Sequence, residues 1–167
     1  MNVKHILLVE DDPRDEQLTL AALEGHNLAN NVFVVRDGEE ALDYLYCWGK
    51  FKTRATGKPV VVLLDLKMPK VNGLAVLKII KGDEYLKTIP IVVLTSSRET
   101  PDVKECYRHG VNAYVVKPVD FSDFVKAVKQ LGVFWAAVNE PPPQTWSEET
   151  LLPNAEVLSS ASKEVFK

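Results

Sequence analysis

Residues Val60–Pro69 read Val-Val-Val-Leu-Leu-Asp-Leu-Lys-Met-Pro. Val60 to Leu64 is an unbroken apolar run rich in β-branched side chains. That is the pattern of a strand buried on both faces, inside a parallel sheet covered by helices. Asp65 then puts a carboxylate at the strand's C-terminal end, and Pro69 ends regular pairing soon after. A charge placed there lies on the carboxyl edge of the sheet, where open α/β folds bind their ligands. Alone, Asp65 reads first as a polar residue that merely ends a strand; the other strand ends overturn that reading.

Working outward, four more apolar runs alternate with helical patterns. His5–Val9 precedes Glu10-Asp11-Asp12-Pro13, where Pro13 suits the first turn of a helix and Asp12 its cap. Val32–Val35 is a second strand, and Asp37-Gly38 leads into a helix bearing Ala41, Leu42, Leu45 and Tyr46. Asn72-Gly73 begins a helix after the central strand, Pro90–Leu94 is a fourth strand ending in Thr95-Ser96-Ser97, and Pro101 opens the next helix. Ala113–Val116 is the fifth strand, and Asp120 or Ser122 caps a last long helix. Five β-α units with right-handed crossovers predict a parallel sheet with helices on both faces. The segment Trp48–Lys58 carries Lys50, Lys52, Arg54 and Lys58, which reads as a solvated loop or as a dock for an acidic partner.

The composition is that of an ordinary globular domain. With 46% hydrophobic and 26% charged residues, 167 residues suffice for one full core and an appendage. A formal net charge of −3 gives no general attraction to nucleic acid or anionic membrane. Cys47 and Cys106 have no metal-ligand spacing and read as reduced thiols. No apolar run approaches a membrane span, and the chain enters its first strand without a secretory signal, so a cytoplasmic location is expected.

The strand ends share one edge in such a sheet. There the first strand contributes Glu10-Asp11-Asp12, the third Asp65, the fourth Thr95 and the fifth Lys117. Close carboxylates need a compensating cation. Hard oxygen ligands with open positions suit Mg²⁺, which shares a phosphate oxygen. A hydroxyl and an ammonium beside the metal are what a transferred phosphoryl group requires, because its charge is spread over three oxygens.

From about Lys4 to Leu131 the chain resembles the receiver domains of bacterial two-component response regulators. The resemblance rests on Ile6–Asp12, Leu63-Leu64-Asp65-Leu66-Lys67-Met68-Pro69, Gly73, Leu94-Thr95-Ser96 and Tyr114-Val115-Val116-Lys117-Pro118, in order and at the right spacing. It implies a flavodoxin-like, doubly wound (βα)5 fold with strand order 2-1-3-4-5, a receiver over residues 1–131, and an extension, 132–167, made of the end of helix five and a C-terminal arm. It further implies that Asp65 accepts the phosphoryl group as an aspartyl phosphate, with Thr95 and Lys117 on its oxygens. Mg²⁺ would be held by Asp11 and Asp65 directly, by Glu10 through water and by the backbone carbonyl of Lys67. Lys117-Pro118 is expected to be cis, and Tyr114 to turn inward with Thr95 as a switch; the alternative for Tyr114 is an ordinary half-buried strand aromatic. Asp12 is left to the helix cap. On this reading the protein is no enzyme beyond catalysing its own phosphorylation and dephosphorylation.

Rival classes fit less well. A haloacid-dehalogenase-type phosphatase wants a second acid two residues after its nucleophile, where this chain has Lys67. A nucleotide- or flavin-binding Rossmann-like domain wants glycines where Glu10-Asp11-Asp12 stand. A degenerate receiver acting only as a binding module is expected to lose Asp65, Thr95 or Lys117, and all three are present. Lys67 has two readings of its own. It shields the phosphoryl group from in-line water and slows its loss, or it simply extends into solvent.

Residues 132–167 hold five glutamates against two lysines, which argues against nucleic-acid binding and for a stand-alone receiver working through protein contacts. Tyr44–Lys58, Thr88-Ile89-Pro90, Lys117-Pro118-Val119-Asp120 and Phe134-Trp135 further resemble receivers that partner phytochrome-type histidine kinases. Val128, Leu131, Phe134, Trp135 and Val138 read as one apolar stripe on helix five, followed by Pro141-Pro142-Pro143 and an arm bearing Trp146. A homodimer is therefore expected, built on the face of helix four, strand five and helix five with the arms embracing the other subunit. Burial of Phe134, Trp135 and Trp146 would contribute several kcal/mol at roughly 25 cal/mol per Å². The alternative is a disordered tail.

Overall fold

The computed structural model describes residues 4–24, 31–54 and 57–143. Each apolar run forms a strand: β1 (Ile6–Val9), β2 (Val32–Val35), β3 (Val61–Leu64), β4 (Ile91–Thr95) and β5 (Ala113–Val116). All neighbours pair in parallel, in the order β2-β1-β3-β4-β5, as expected. Between them run α1 (Pro13–Glu24), α2 (Gly38–Tyr46), α3 (Gly73–Gly82), α4 (Thr100–Arg108) and α5 (Phe121–Val133).

The period of two along each strand divides the core into two layers. Leu7, Val9, Val62, Leu64 and Val93 face Ala41, Leu45, Val76, Leu77, Ile80 and Cys106 of α2, α3 and α4. Ile6, Leu8, Leu63, Val92 and Leu94 face Ala22, Leu23, Phe124 and Val128 of α1 and α5. β1, β3 and β4 are buried on both sides, which is why their sequences alternate nothing polar.

Local capping sets where the helices start. Asp12 Oδ1 accepts from the Arg14 N–H at 2.8 Å, Asp37 caps α2, and Asn72 Oδ1 accepts from the Ala75 N–H at 2.9 Å. At α5 the cap is Asp120 rather than Ser122. The basic segment after α2 is largely tied down within the chain. Lys50 pairs with Glu40, Arg54 stacks on the Tyr44 ring at 4.2 Å, and Lys58 lies 4.2 Å over the Tyr85 ring.

The end of α5 departs from the single expected stripe. The helix widens into a π-turn over Phe134–Val138, closed by the Asn139 N–H on the Phe134 carbonyl at 2.7 Å. Val128, Leu131 and Trp135 pack on the core, while Phe134 and Val138 are 48% and 68% exposed. The stripe splits because residues 128, 131 and 135 share one helix face and 134 and 138 stand beside it. Pro141–Pro143 then line a crevice with Lys58, Tyr85 and Pro90 at the amino-terminal edge of the sheet. The boundary expected between residues 131 and 132 falls inside the continuous α5. Among the described residues no helix is long and apolar enough to cross a membrane.

Candidate functional site

β1 and β3 are neighbours with Val9 opposite Leu64, so Glu10 and Asp65 leave the sheet side by side. The Asp65 N–H still donates to the Val9 carbonyl at 3.1 Å, which anchors the β3–α3 loop. Glu10 is 2% exposed and Asp65 8%, deep burial for carboxylates. With the half-buried Asp11 they form one group, each offering an oxygen within 4.8 Å of the others.

Lys117 crosses to this group from the far side of β4. Its N–H donates to the Thr95 carbonyl at 2.7 Å, and its side chain runs over the end of β4. Its Nζ donates to Glu10 Oε2 at 2.7 Å, Asp65 Oδ2 at 3.3 Å and Asp15 Oδ2 at 2.6 Å. The expected cis bond at Lys117-Pro118 is not found; that peptide is trans. Trans is the lower-energy isomer of an X–Pro bond by about 0.5–1 kcal/mol. The long lysine side chain reaches the acids from it.

Electrostatics follow from burial and pairing. Burial pushes the Glu10 carboxyl up to about 7 against the pull of Lys117, and the Asp65 charge adds to the rise. Burial by itself would lower Lys117, but hydrogen bonds to Asp15 and Glu10 and the charges of Glu10 and Asp65 outweigh it and hold the ammonium above its ordinary range. Lys117 is thus the standing counter-cation of an acid-rich pocket. The donor set of three carboxylates, two of them buried, suits a hard divalent ion such as Mg²⁺. Glu10, Asp11 and Asp65 would hold it and gain the compensating charge that burial denies them.

Thr95 is fully buried, and its Oγ1 accepts from the Ser97 N–H at 3.3 Å. The Ser97 carbonyl in turn accepts from the Tyr114 hydroxyl at 3.1 Å. Thr95 and the half-buried Tyr114 therefore meet on the backbone of one residue, and Ser97 Oγ donates to Asp102 Oδ2 at 2.5 Å in the first turn of α4. The Lys67 side chain is exposed and its N–H donates to Asp65 Oδ1 at 3.3 Å. Asp12 serves the α1 cap, accepting from the Arg14 and Asp15 N–H groups. Phe134 and Trp135 stack edge to face at 5.0 Å on the end of α5, and Trp146 lies outside the described residues.

Asp15, Ser97 and Asp102 were not singled out by sequence reasoning. Asp15 follows the acidic run Glu10–Asp12 closely, within the first turn of α1, so its carboxylate starts near theirs. That was the available signal. Ser97 carries no such signal, because its partners Thr95, Asp102 and Tyr114 belong to three elements, β4, α4 and β5, that the fold brings together.

The response regulator receiver domain family matches residues 6–129. Response regulator Rcp1 of Synechocystis sp. is 37% identical over 132 residues, covering 79% of this chain and 88% of its own. The solved Mn(2+)-bound form of Rcp1 superposes with a TM-score of 0.77 at 36% identity, over 84% of this chain and 99% of that one. The phosphorylated cyanobacterial phytochrome response regulator RcpA gives 0.78 at 38% identity, over 84% and 99%. The bacteriophytochrome response regulator RtBRR is 60% identical with a TM-score of 0.68, over 84% and 85%.

Proposed function

Because the chain belongs to the response regulator receiver family, we propose that Asp65 accepts a phosphoryl group from the phosphohistidine of a sensor kinase of the phytochrome type, in a Mg²⁺-dependent reaction in the cytoplasm. The observation that carries this reading is the meeting of buried Asp65 with Glu10, Asp11 and Lys117 at one sheet edge. The relatives named for phytochrome signalling support the choice of kinase.

An Asp65 oxygen attacks phosphorus and the P–N bond to the histidine breaks, its electrons leaving with the imidazole. Mg²⁺, when bound, neutralises phosphoryl charge. Glu10 and Asp11 would hold that ion together with Asp65 and the Lys67 carbonyl. Lys117 moves its ammonium from carboxylate to phosphoryl oxygen. Thr95 gives up the Ser97 N–H and turns its hydroxyl to another. Because Tyr114 bonds the same Ser97, the turn is felt on the face of α4, β5 and α5. The protein is a phosphoacceptor that catalyses only its own phosphorylation and dephosphorylation, and it passes the signal on by protein contacts. The test is mass spectrometry of the Asp65 peptide after treatment with a small phosphodonor and Mg²⁺. Absence of added phosphoryl mass there would favour a pure binding module.

The exposed Lys67 side chain sits two residues past the acceptor, long enough to lie over the phosphoryl group and keep water off its rear. Lys67→Asn is expected to speed loss of phosphate several-fold in a radiolabel chase. Decay at the wild-type rate would refute the shielding role.

The homodimer belongs to the same reading. Val119, Phe121, Phe134 and Val138 are 98%, 58%, 48% and 68% exposed around α5, an apolar surface suited to a second copy. Trp135 contributes less, since it packs on its own core. Full-length protein is expected to sediment as a dimer at roughly tens of micromolar, above the micromolar affinities at the weak end of standard-size interfaces, and protein ending at Asn139 to dissociate more readily. If both sediment as monomers the arm has no dimerising role; if both are dimers the interface lies in the receiver.

A further inference from the structure

We propose that Asp15 is a positioning residue for Lys117: it keeps the ammonium in the pocket when the neighbouring carboxylates turn to the metal. The inference rests on the Mg²⁺-dependent reading above. Lys117 has three N–H donors and three carboxylate partners, Asp15 at 2.6 Å, Glu10 at 2.7 Å and Asp65 at 3.3 Å. Its side chain is only 9% exposed, so water replaces none of them fully.

The three partners are not equivalent. Glu10 and Asp65 belong, with Asp11, to the group whose oxygens converge within 4.8 Å; Asp15 does not. A divalent ion drawn to that group competes with the ammonium for Glu10 and Asp65 and repels it. With no other acceptor, Lys117 would be left buried and under-bonded, a costly state. Asp15 supplies that acceptor. Its side chain is 33% exposed, so water reaches its carboxylate as well. It stands in the first turn of α1, where a carboxylate is favoured by the helix end, and its N–H is held by Asp12 Oδ1 at 3.4 Å.

Two consequences distinguish this role from a merely structural one. Without the Asp15 carboxylate, Lys117 clings to Glu10 and Asp65 and resists metal entry. That effect must vanish when Lys117 is absent. The experiment is calorimetric titration of Mg²⁺ into the full chain, as wild type, Asp15→Asn, Asp15→Glu, Lys117→Ala and the Asp15→Asn/Lys117→Ala pair. Asp15→Asn is expected to weaken Mg²⁺ binding about tenfold, the scale of one hydrogen bond to a charged group. Asp15→Glu recovers most of it, which separates loss of charge from loss of fold. Lys117→Ala tightens binding, and on that background Asp15→Asn changes it less than about twofold, the residue of a screened charge. No weakening in the single variant overturns the proposal. Equal weakening on both backgrounds also overturns it, because Asp15 would then act on the ion directly. If the wild type takes up no Mg²⁺, the proposed function fails, and Asp15 is decided by NMR of the metal-free chain. The Lys117 ammonium should give a slowly exchanging signal that Asp15→Asn broadens and Asp15→Glu restores; an unchanged signal in Asp15→Asn overturns the role.

Discussion

Asp65→Asn is expected to reduce phosphoryl incorporation to background, whether the donor is a phosphohistidine kinase or a small phosphodonor. The variant keeps the size and polarity of the side chain but loses the anionic oxygen that the proposed reaction uses as its nucleophile. It also removes one of the charges that hold Lys117, whose Nζ lies 3.3 Å from Asp65 Oδ2. Asp11→Ala is expected to approach the same result by another route. Asp11 is one of the three convergent carboxylates, and loss of a metal ligand or its support typically costs about 10- to 100-fold in affinity or activity. Lys117→Ala leaves the nucleophile and the acids in place, so some acceptance survives while coupling to the α4-β5-α5 face is lost. The measurement is radiolabel transfer at fixed Mg²⁺. Wild-type labelling of Asp65→Asn would remove Asp65 as the acceptor. Magnesium-independent labelling of Asp11→Ala at the wild-type rate would remove the metal from the scheme.

Gly73→Ala is expected to damage both fold and site, although residue 73 offers no chemistry. The first residue of α3 passes so close beneath Asp65 that an added Cβ would sit 2.0 Å from the Asp65 carbonyl oxygen and 2.7 Å from the Leu66 Cα. Both are backbone atoms, and the Gly73 N–H is itself bound to the Leu66 carbonyl at 2.9 Å. The neighbours cannot swing aside as a flexible side chain would, so the loop carrying Asp65 must shift. Overpacking of this kind costs about 1–3 kcal/mol. A shift of that loop also takes Asp65 out of register with Glu10 and Lys117. The check is a pair of measurements, urea unfolding and phosphoryl labelling. A variant with an unchanged midpoint and full labelling would show that the loop yields freely, contrary to the geometry.

Much of the architecture was legible in the chain because it depends on local chemistry. Runs such as Ile6–Val9 and Val61–Leu64 carry no polar residue, so they are strands only if both faces are covered, and that requirement alone implies helices on each side of a parallel sheet. The caps at Asp12, Asp37 and Asn72 are interactions within three residues, readable from spacing. Parallel pairing then brings every strand's carboxyl end to one edge, so Glu10, Asp11, Asp65, Thr95 and Lys117 converge as a consequence of topology and need no knowledge of side-chain conformation.

Tertiary structure decided what depends on reach and rotamer. Asp15 and Lys117 are separated by 102 residues, and their contact arises because the first turn of α1 and the end of β5 overhang the same pocket. Thr95 and Tyr114 share Ser97 only because β4 and β5 are neighbours and the β4–α4 loop folds over them. Of the basic segment read as solvent-facing or docking, Lys52 is exposed, while Lys50, Arg54 and Lys58 turn to Glu40, Tyr44 and Tyr85. Trp135 and Phe134 are adjacent in sequence, yet one packs on the core and the other is 48% exposed. Periodicity assigns a residue to a helix face to within a turn. Which of two neighbours a shallow core accepts is decided by the packing of other elements, and that information is spread over the whole chain.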